Sequence, residues 1–311
     1  MRGVRAPDPA AVTRRRALQG GALALLALTG CSPAAGGRDD EEAAVAGPAQ
    51  QYRYGEAEAQ VADLWLPEGA APGRTPTRTA VLVHGGYWQP GYDRSLEDPL
   101  LPDLLGAGWA VWNVDYRATG VDGGGWPGTF QDVAAAVDLL AQAASEHGLG
   151  LDRTAFVGYS AGGHLALWAA ARGHLPEGAP GAVPAGGSAV LPTALVAQAA
   201  VADLVAGNRR QLGGGAVAGL LGGRAADVPE RYAVADPVQL VPFGVPLLVI
   251  TGDADTNVPP SQSQALADAA RAAGDDVEHV VVPGEDHFAH LDPASRCWAA
   301  TREWLDARLP A

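Results

Sequence analysis

A chain of 311 residues with 48% hydrophobic side chains and eight Trp is long enough to bury a large core, as one α/β domain or two smaller ones. Its 35 acidic residues outnumber 21 basic ones, all Arg because the sequence has no Lys, and the formal charge of -14 disfavours nucleic acid and anionic lipid headgroups as partners. Two cysteines, Cys31 and Cys297, are too few for a disulfide scaffold, so no structural disulfide is expected.

In chain order, residues 1–30 carry five Arg and one Asp, followed by the apolar run Gly20 to Leu28. This is the order of an export signal, and the run is too short to span a membrane as a folded helix. Leu28-Thr29-Gly30-Cys31 comes next and resembles the lipobox of bacterial lipoproteins. The resemblance implies that the Cys31 thiol takes up diacylglycerol and that Cys31 opens the mature chain. Thr13-Arg14-Arg15-Arg16-Ala17-Leu18 is similar to a twin-arginine export motif, with Ala17 where that motif usually has an aromatic or large apolar residue, so Sec and twin-arginine export both stay open. Removing residues 1–30 leaves 16 Arg against 34 acidic residues, a net charge of about -18. Residues 31–50 read as the lipidated Cys and a flexible tether rich in Ala, Gly, Pro and acidic residues, and 51–311 as one domain. The expected place is extracytoplasmic, on the cell membrane through the N-terminal lipid only.

Short apolar runs ending in Gly, Asp or Pro predict buried strands at 79–83, 110–114, 154–158, 195–199, 246–250 and 277–281, with an antiparallel edge strand at 60–66. Ala- and Leu-rich stretches at 132–147, 163–172, 261–273 and 293–309 predict helices between them. Such alternation implies a mostly parallel sheet with helices on both faces and functional residues beyond the carboxyl ends of the strands. Residues 178–192 and 213–223, rich in Gly, Ala and Pro, read as loops bordering a pocket, and the first of them as a candidate lid.

Gly158-Tyr159-Ser160-Ala161-Gly162 fits the G-x-S-x-G turn in which a serine is presented between a buried strand and a helix, the pattern of the α/β-hydrolase fold. A serine hydroxyl needs a base, and the base a carboxylate, in the chain order Ser, acid, His. Asp255, in Gly252-Asp253-Ala254-Asp255-Thr256-Asn257-Val258-Pro259, and His287, in Gly284-Glu285-Asp286-His287-Phe288, both follow predicted strands. Asp253 reads as a turn cap, and His287 is favoured over His290. His84-Gly85-Gly86-Tyr87-Trp88 follows the strand at 79–83. Backbone N–H groups of Gly85 and Gly86, with that of Ala161, are candidates for an oxyanion hole, and Tyr87, Trp88 and Tyr159 for the substrate pocket, with core packing the other reading of Trp88. His164 reads as a packed helix residue and His147, His174 and His279 as surface or helix-end residues, with no metal-ligand spacing among them. Cys297 reads as a buried small hydrophobe.

Together His84-Gly85-Gly86-Tyr87-Trp88-Gln89, Asn113-Val114-Asp115-Tyr116-Arg117, the Ser160 turn and the two acid and His loops resemble the HGG-type esterase and lipase group of α/β hydrolases, over about Tyr52 to Leu309. Within it the chain is similar to arylformamidase (kynurenine formamidase)-like enzymes, whose oxyanion loop reads H-G-G-Y-W or close to it. The resemblance implies hydrolysis of a small carboxylic ester or N-formyl amide, no metal or organic cofactor, a small cap or none, and Asp115, Tyr116 and Arg117 as structural partners beneath the site. The export signal shifts the expected substrate toward a broader class of esters. A non-catalytic surface lipoprotein using the same fold as a binding module is the alternative.

Overall fold

The apolar runs form eight strands: β1 (Gln50–Arg53), β2 (Val61–Trp65), β3 (Thr77–Val83), β4 (Ala110–Val114), β5 (Leu149–Tyr159), β6 (Ala194–Gln198), β7 (Leu247–Gly252) and β8 (Val277–Val282). In this computed structural model, which describes residues 50–70 and 77–311, they make one sheet in the order β1-β2-β4-β3-β5-β6-β7-β8. Pairing is antiparallel for β1 with β2 and β2 with β4, and parallel from β4 to β8. The export signal at 1–30, Cys31 and residues 31–49 of the tether lie outside the described residues.

Nine α-helices accompany the strands: α1 (Leu101–Gly106), α2 (Gly128–His147), α3 (Ala161–Ala170), α4 (Leu204–Arg209), α5 (Ala216–Leu221), α6 (Pro229–Ala235), α7 (Pro237–Leu240), α8 (Ser261–Ala273) and α9 (Arg296–Arg308), counted among the described residues. The two-residue period of each strand divides its side chains between two cores. Val81, Trp112, Phe156, Leu195 and Val249 pack with Val137 of α2, Leu165 of α3 and Leu266 of α8. On the other face Leu82, Val111, Val157 and Ile250 pack with Leu104 of α1 and Trp298 and Leu305 of α9. Each such Leu or Val contributes roughly 2 kcal/mol over leaving it in water.

The helix ends follow from local chemistry. Gly148, at φ 71°, stops α2 by donating its N–H to Ala144 O, and the Ser295 side chain opens α9 by accepting from the Trp298 N–H. Helices expected at 132–147 and 163–172 begin earlier, at Gly128 and Ala161. The segment expected as the edge strand is β2, antiparallel but second in the sheet. The true edge is β1, where Tyr52 alone of four residues is buried, too little for an apolar pattern. Gln50, the last residue assigned to the tether, is already strand.

Residues 204–240, between β6 and β7, hold the short helices α4 to α7 rather than one long element. The expected loop at 213–223 therefore contains α5, bounded by Gly215 and Gly222 in left-handed conformation. Residues 178–192 contain neither helix nor strand.

Candidate active site

β5 ends at Tyr159 and α3 begins at Ala161, so Ser160 alone turns the chain, at φ 55° and ψ -117°. That conformation costs a non-glycine residue of the order of 1–3 kcal/mol and persists only where neighbours hold it. Here the Ser160 N–H donates to Gln198 O on β6 at 2.8 Å and the Val201 N–H to Ser160 O at 3.2 Å. The flanking glycines are steric requirements, since a Cβ on Gly162 would stand 1.8 Å from Val83 O and one on Gly158 2.3 Å from Gly162 O.

The turn after β7 carries Asp255, and the turn after β8 carries His287. His287 Nδ1 donates to Asp255 Oδ2 at 2.6 Å, and its Nε2 accepts from the Ser160 hydroxyl at 3.0 Å. All three side chains are buried. Asp255 Oδ1 accepts from the N–H groups of Asn257 and Val258 at 2.8 and 2.9 Å, which fixes the carboxylate. Asp253 lies off this line: its side chain accepts from the Gly284 N–H at 2.5 Å and ties the acid turn to the His turn. His290 is also separate, fully buried and pushed down to about 3 by burial and then by His287, so it stays neutral.

The loop after β3 approaches Ser160 from the other side. A Cβ on Gly85 would lie 2.8 Å from the Tyr159 ring and 3.1 Å from Ser160 Cβ, so only glycine fits. Gly86, Tyr87 and Trp88 all have positive φ (104°, 51° and 57°), and the turn closes with Gln89 N–H donating to Gly86 O at 2.9 Å. Beneath it, the His84 ring stacks on Tyr116 at 4.3 Å, with Nδ1 2.8 Å from Gly85 O and Nε2 3.2 Å from Asp115 Oδ1. Arg94 joins Asp115 to Asp63 at 3.1 and 2.5 Å, and Arg117 makes a two-pronged contact with Asp132 at 2.7 and 2.8 Å. Asp115 and Tyr116 thus stand against His84 under the loop, whereas Arg117 is held away from it by Asp132.

Of the three expected pocket side chains, two border the cleft over Ser160, which encloses about 80 Å³. Tyr87 donates its hydroxyl to Asn257 O at 2.6 Å, linking the glycine loop to the acid turn, and burial, then Asp255, pushes its phenol up to about 12. Tyr159 lies with its ring 4.9 Å from that of His287. Trp88 corrects the pocket expectation in favour of core packing: it is buried, donating Nε1–H to Ala161 O at 3.1 Å and meeting His164 edge-on, because the left-handed turn at Tyr87 and Trp88 carries its side chain beneath α3. His164 donates Nε2–H to the backbone Ala235 O, 2.9 Å away, and burial pushes it down to about 4. Tyr92, Leu96, Phe288 and Leu291 also line the cleft and were missed by sequence reasoning. The one available signal was proximity, since Phe288 adjoins His287 and Tyr92 follows the glycine loop. Among the described residues no group of three or more His, Cys, Asp or Glu could hold a metal ion, and Cys297 is a buried free thiol, pushed up to about 12 chiefly by burial.

Comparison with known proteins agrees with this architecture. The chain is 30% identical over 242 residues to "Esterase LipQ" of Mycobacterium tuberculosis, a match covering 74% of this chain and 54% of that protein, so it spans about half the length of that relative. A truncated form of a carbohydrate esterase from gut microbiota superposes with a TM-score of 0.70 at 21% identity, over 86% of this chain and 100% of the other. Esterase B of Lactobacillus rhamnosis superposes at 0.67 and 24% identity, over 83% of this chain and 84% of the other. At these identities the superpositions establish the α/β-hydrolase fold. The family model described as BD-FAE matches residues 62–270, more than half of the chain, and the chain belongs to that family, among the esterases and lipases of the α/β-hydrolase fold.

Proposed function

We propose that the chain is a serine carboxylesterase acting on small uncharged esters, and on N-formyl amides, through an acyl-enzyme. The reading is carried by one observation, the continuous hydrogen-bonded line from Ser160 Oγ through His287 to Asp255 at 3.0 and 2.6 Å. His287 takes the hydroxyl proton as Ser160 Oγ bonds to the acyl carbon, and returns it to the departing alkoxide or amine as that bond breaks. Asp255 keeps Nδ1 protonated so that Nε2 faces the serine. The oxyanion is met by N–H groups of Gly85, Gly86 and Ala161. Ala161 is the first residue of α3, whose leading N–H groups have no acceptor within the helix. One such donor is worth roughly 10²–10³ in kcat. Water, activated by the same imidazole, then releases the acid and restores Ser160.

Ester substrates are supported by the family and by the esterase names of its relatives, and the N-formyl amide by the His84-Gly85-Gly86-Tyr87-Trp88 motif. We place the enzyme outside the cytoplasm, with 1–30 as export signal, Cys31 lipidated, 31–50 as tether and 51–311 as the catalytic domain. The test is hydrolysis of p-nitrophenyl esters of increasing chain length and of N-formylkynurenine, with Ser160→Ala as control. Ester turnover lost in the variant is the expected result, and equal turnover by both proteins would overturn the reading.

A further inference from the structure

Tyr87 and Trp88 stand side by side at φ 51° and 57°, a left-handed conformation that two bulky residues in succession rarely share. Their side chains leave toward different anchors. Trp88 donates Nε1–H to Ala161 O at 3.1 Å, on the first residue of α3, and Tyr87 donates its hydroxyl to Asn257 O at 2.6 Å, on the acid turn. The loop that carries Gly85 and Gly86 is thereby fastened to the nucleophile turn on one side and to the acid turn on the other.

The second anchor reaches further than the turn. The carbonyl of Asn257 and the N–H of Val258 belong to one planar peptide unit. That N–H donates to Asp255 Oδ1 at 2.9 Å, while Asp255 Oδ2 accepts from His287 Nδ1 at 2.6 Å and His287 Nε2 lies 3.0 Å from Ser160 Oγ. A hydrogen bond accepted at a peptide oxygen polarises the N–H of the same unit and strengthens the bond it donates. Resting on the esterase reading, we propose that Tyr87 is a positioning residue of the catalytic line: its hydroxyl, acting through the 257–258 peptide, holds Asp255 where it orients His287 and ties the oxyanion loop to the triad.

The surroundings of Tyr87 suit that task. Its ring is braced from behind by Gly213, one of four left-handed residues among Gln211, Gly213, Gly214 and Gly215. A Cβ on Gly213 would stand 2.6 Å from Tyr87 Cδ1, so the ring packs where only glycine leaves room. Burial, then Asp255, raises the phenol well above its ordinary value, so the hydroxyl keeps its proton and stays a donor at neutral pH. Ring and hydroxyl are thus held separately, the first by the glycine turn before α5 and the second by the acid turn.

The test is Tyr87→Phe, which removes the oxygen and leaves the ring against Gly213. For p-nitrophenyl acetate, kcat is expected to fall roughly three- to tenfold, the worth of one hydrogen bond, with KM changed less than about twofold. The same factor is expected for p-nitrophenyl hexanoate, because the placing of Asp255 does not depend on the acyl chain. In an Asp255→Asn background the substitution should change kcat by less than about twofold, since the charge it acts through is gone. An unchanged kcat, a loss confined to KM, or a factor that grows with acyl length would make Tyr87 a substrate contact only and overturn the proposal. So would a loss that persists in full beside Asp255→Asn. If the unaltered chain turns over neither ester, the esterase reading fails, and the far-downfield proton NMR resonance of His287 Nδ1–H decides the coupling by itself. A resonance shifted or broadened in Tyr87→Phe upholds the link to Asp255, and an unchanged one sinks it.

Discussion

On the floor of the cleft Ser160, Asp255 and His287 are 2%, 5% and 5% exposed, and each is fixed by hydrogen bonds to the others or to backbone. At its mouth Tyr92 and Phe288 are 49% and 61% exposed, the first just after the left-handed Gly91 and the second in a short 3-10 helix. On the proposed function, the difference separates two tasks. Reaction needs three groups within tenths of an ångström of a working geometry, and burial with mutual hydrogen bonding supplies that. Selection among esters needs apolar area that substrate can cover, and side chains left in water supply it without rigidity.

The widest separation between the two regions is expected from the serine itself. Ser160→Ala should lower ester kcat by roughly 10⁴–10⁶ with folding unchanged, read by a pH-stat or chromogenic assay alongside a melting curve. Asp255→Asn should cost roughly 10⁴ by letting the imidazole take the wrong tautomer. A loss below tenfold would mean that Asp255 does not orient His287. The support of the glycine loop is tested by Asp115→Ala, which removes the side-chain partner of His84 and leaves Arg94 paired with Asp63 alone. Leaving a buried polar group without its partner costs roughly 1–3 kcal/mol, measurable by urea unfolding.

Behind the floor, Glu97 is buried and its carboxyl is raised from 4.5 to about 8 by burial, then by Asp98. A carboxyl raised on folding favours the folded state most below its unfolded value, and that contribution is lost as pH rises toward the folded value. Glu97→Gln should therefore match the original chain in stability below pH 4.5 and exceed it progressively, by up to a few kcal/mol, as pH approaches 8. A difference that stays flat from pH 5 to 8 would show that Glu97 ionises freely. The smallest effect belongs to the mouth: Phe288→Ala should raise KM for apolar esters less than tenfold and leave kcat nearly unchanged, the opposite split from Ser160→Ala.

The same division decides what could be read from the sequence. Gly158-Tyr159-Ser160-Ala161-Gly162 was legible because a single-residue reversal between strand and helix leaves no room for Cβ atoms at 158 and 162, and that steric demand is written in residue types. Asp255 and His287 were legible because each follows a strand whose apolar run is plain. The parallel core followed from the same runs. β1 was not, since three of its four residues are exposed and polar, and α4 to α7 were not, since each is only four to seven residues long. Trp88 stayed open between pocket and core because a motif fixes the backbone of a loop but not which way each side chain leaves it, and two positive φ angles in succession turned the indole inward. Tyr92 was not legible because the lining of a cleft depends on three-dimensional neighbours that no periodicity encodes.

The most direct measurement is intact-protein mass spectrometry after brief exposure to a fluorophosphonate, on the folded chain and on Ser160→Ala. The line through His287 to Asp255 should make Ser160 the one hydroxyl activated enough to react, giving a single adduct mapped to the peptide containing Tyr159 to Gly162 and none in the variant. No adduct on the folded chain, or an adduct that persists in Ser160→Ala, would contradict the assignment of Ser160 as nucleophile.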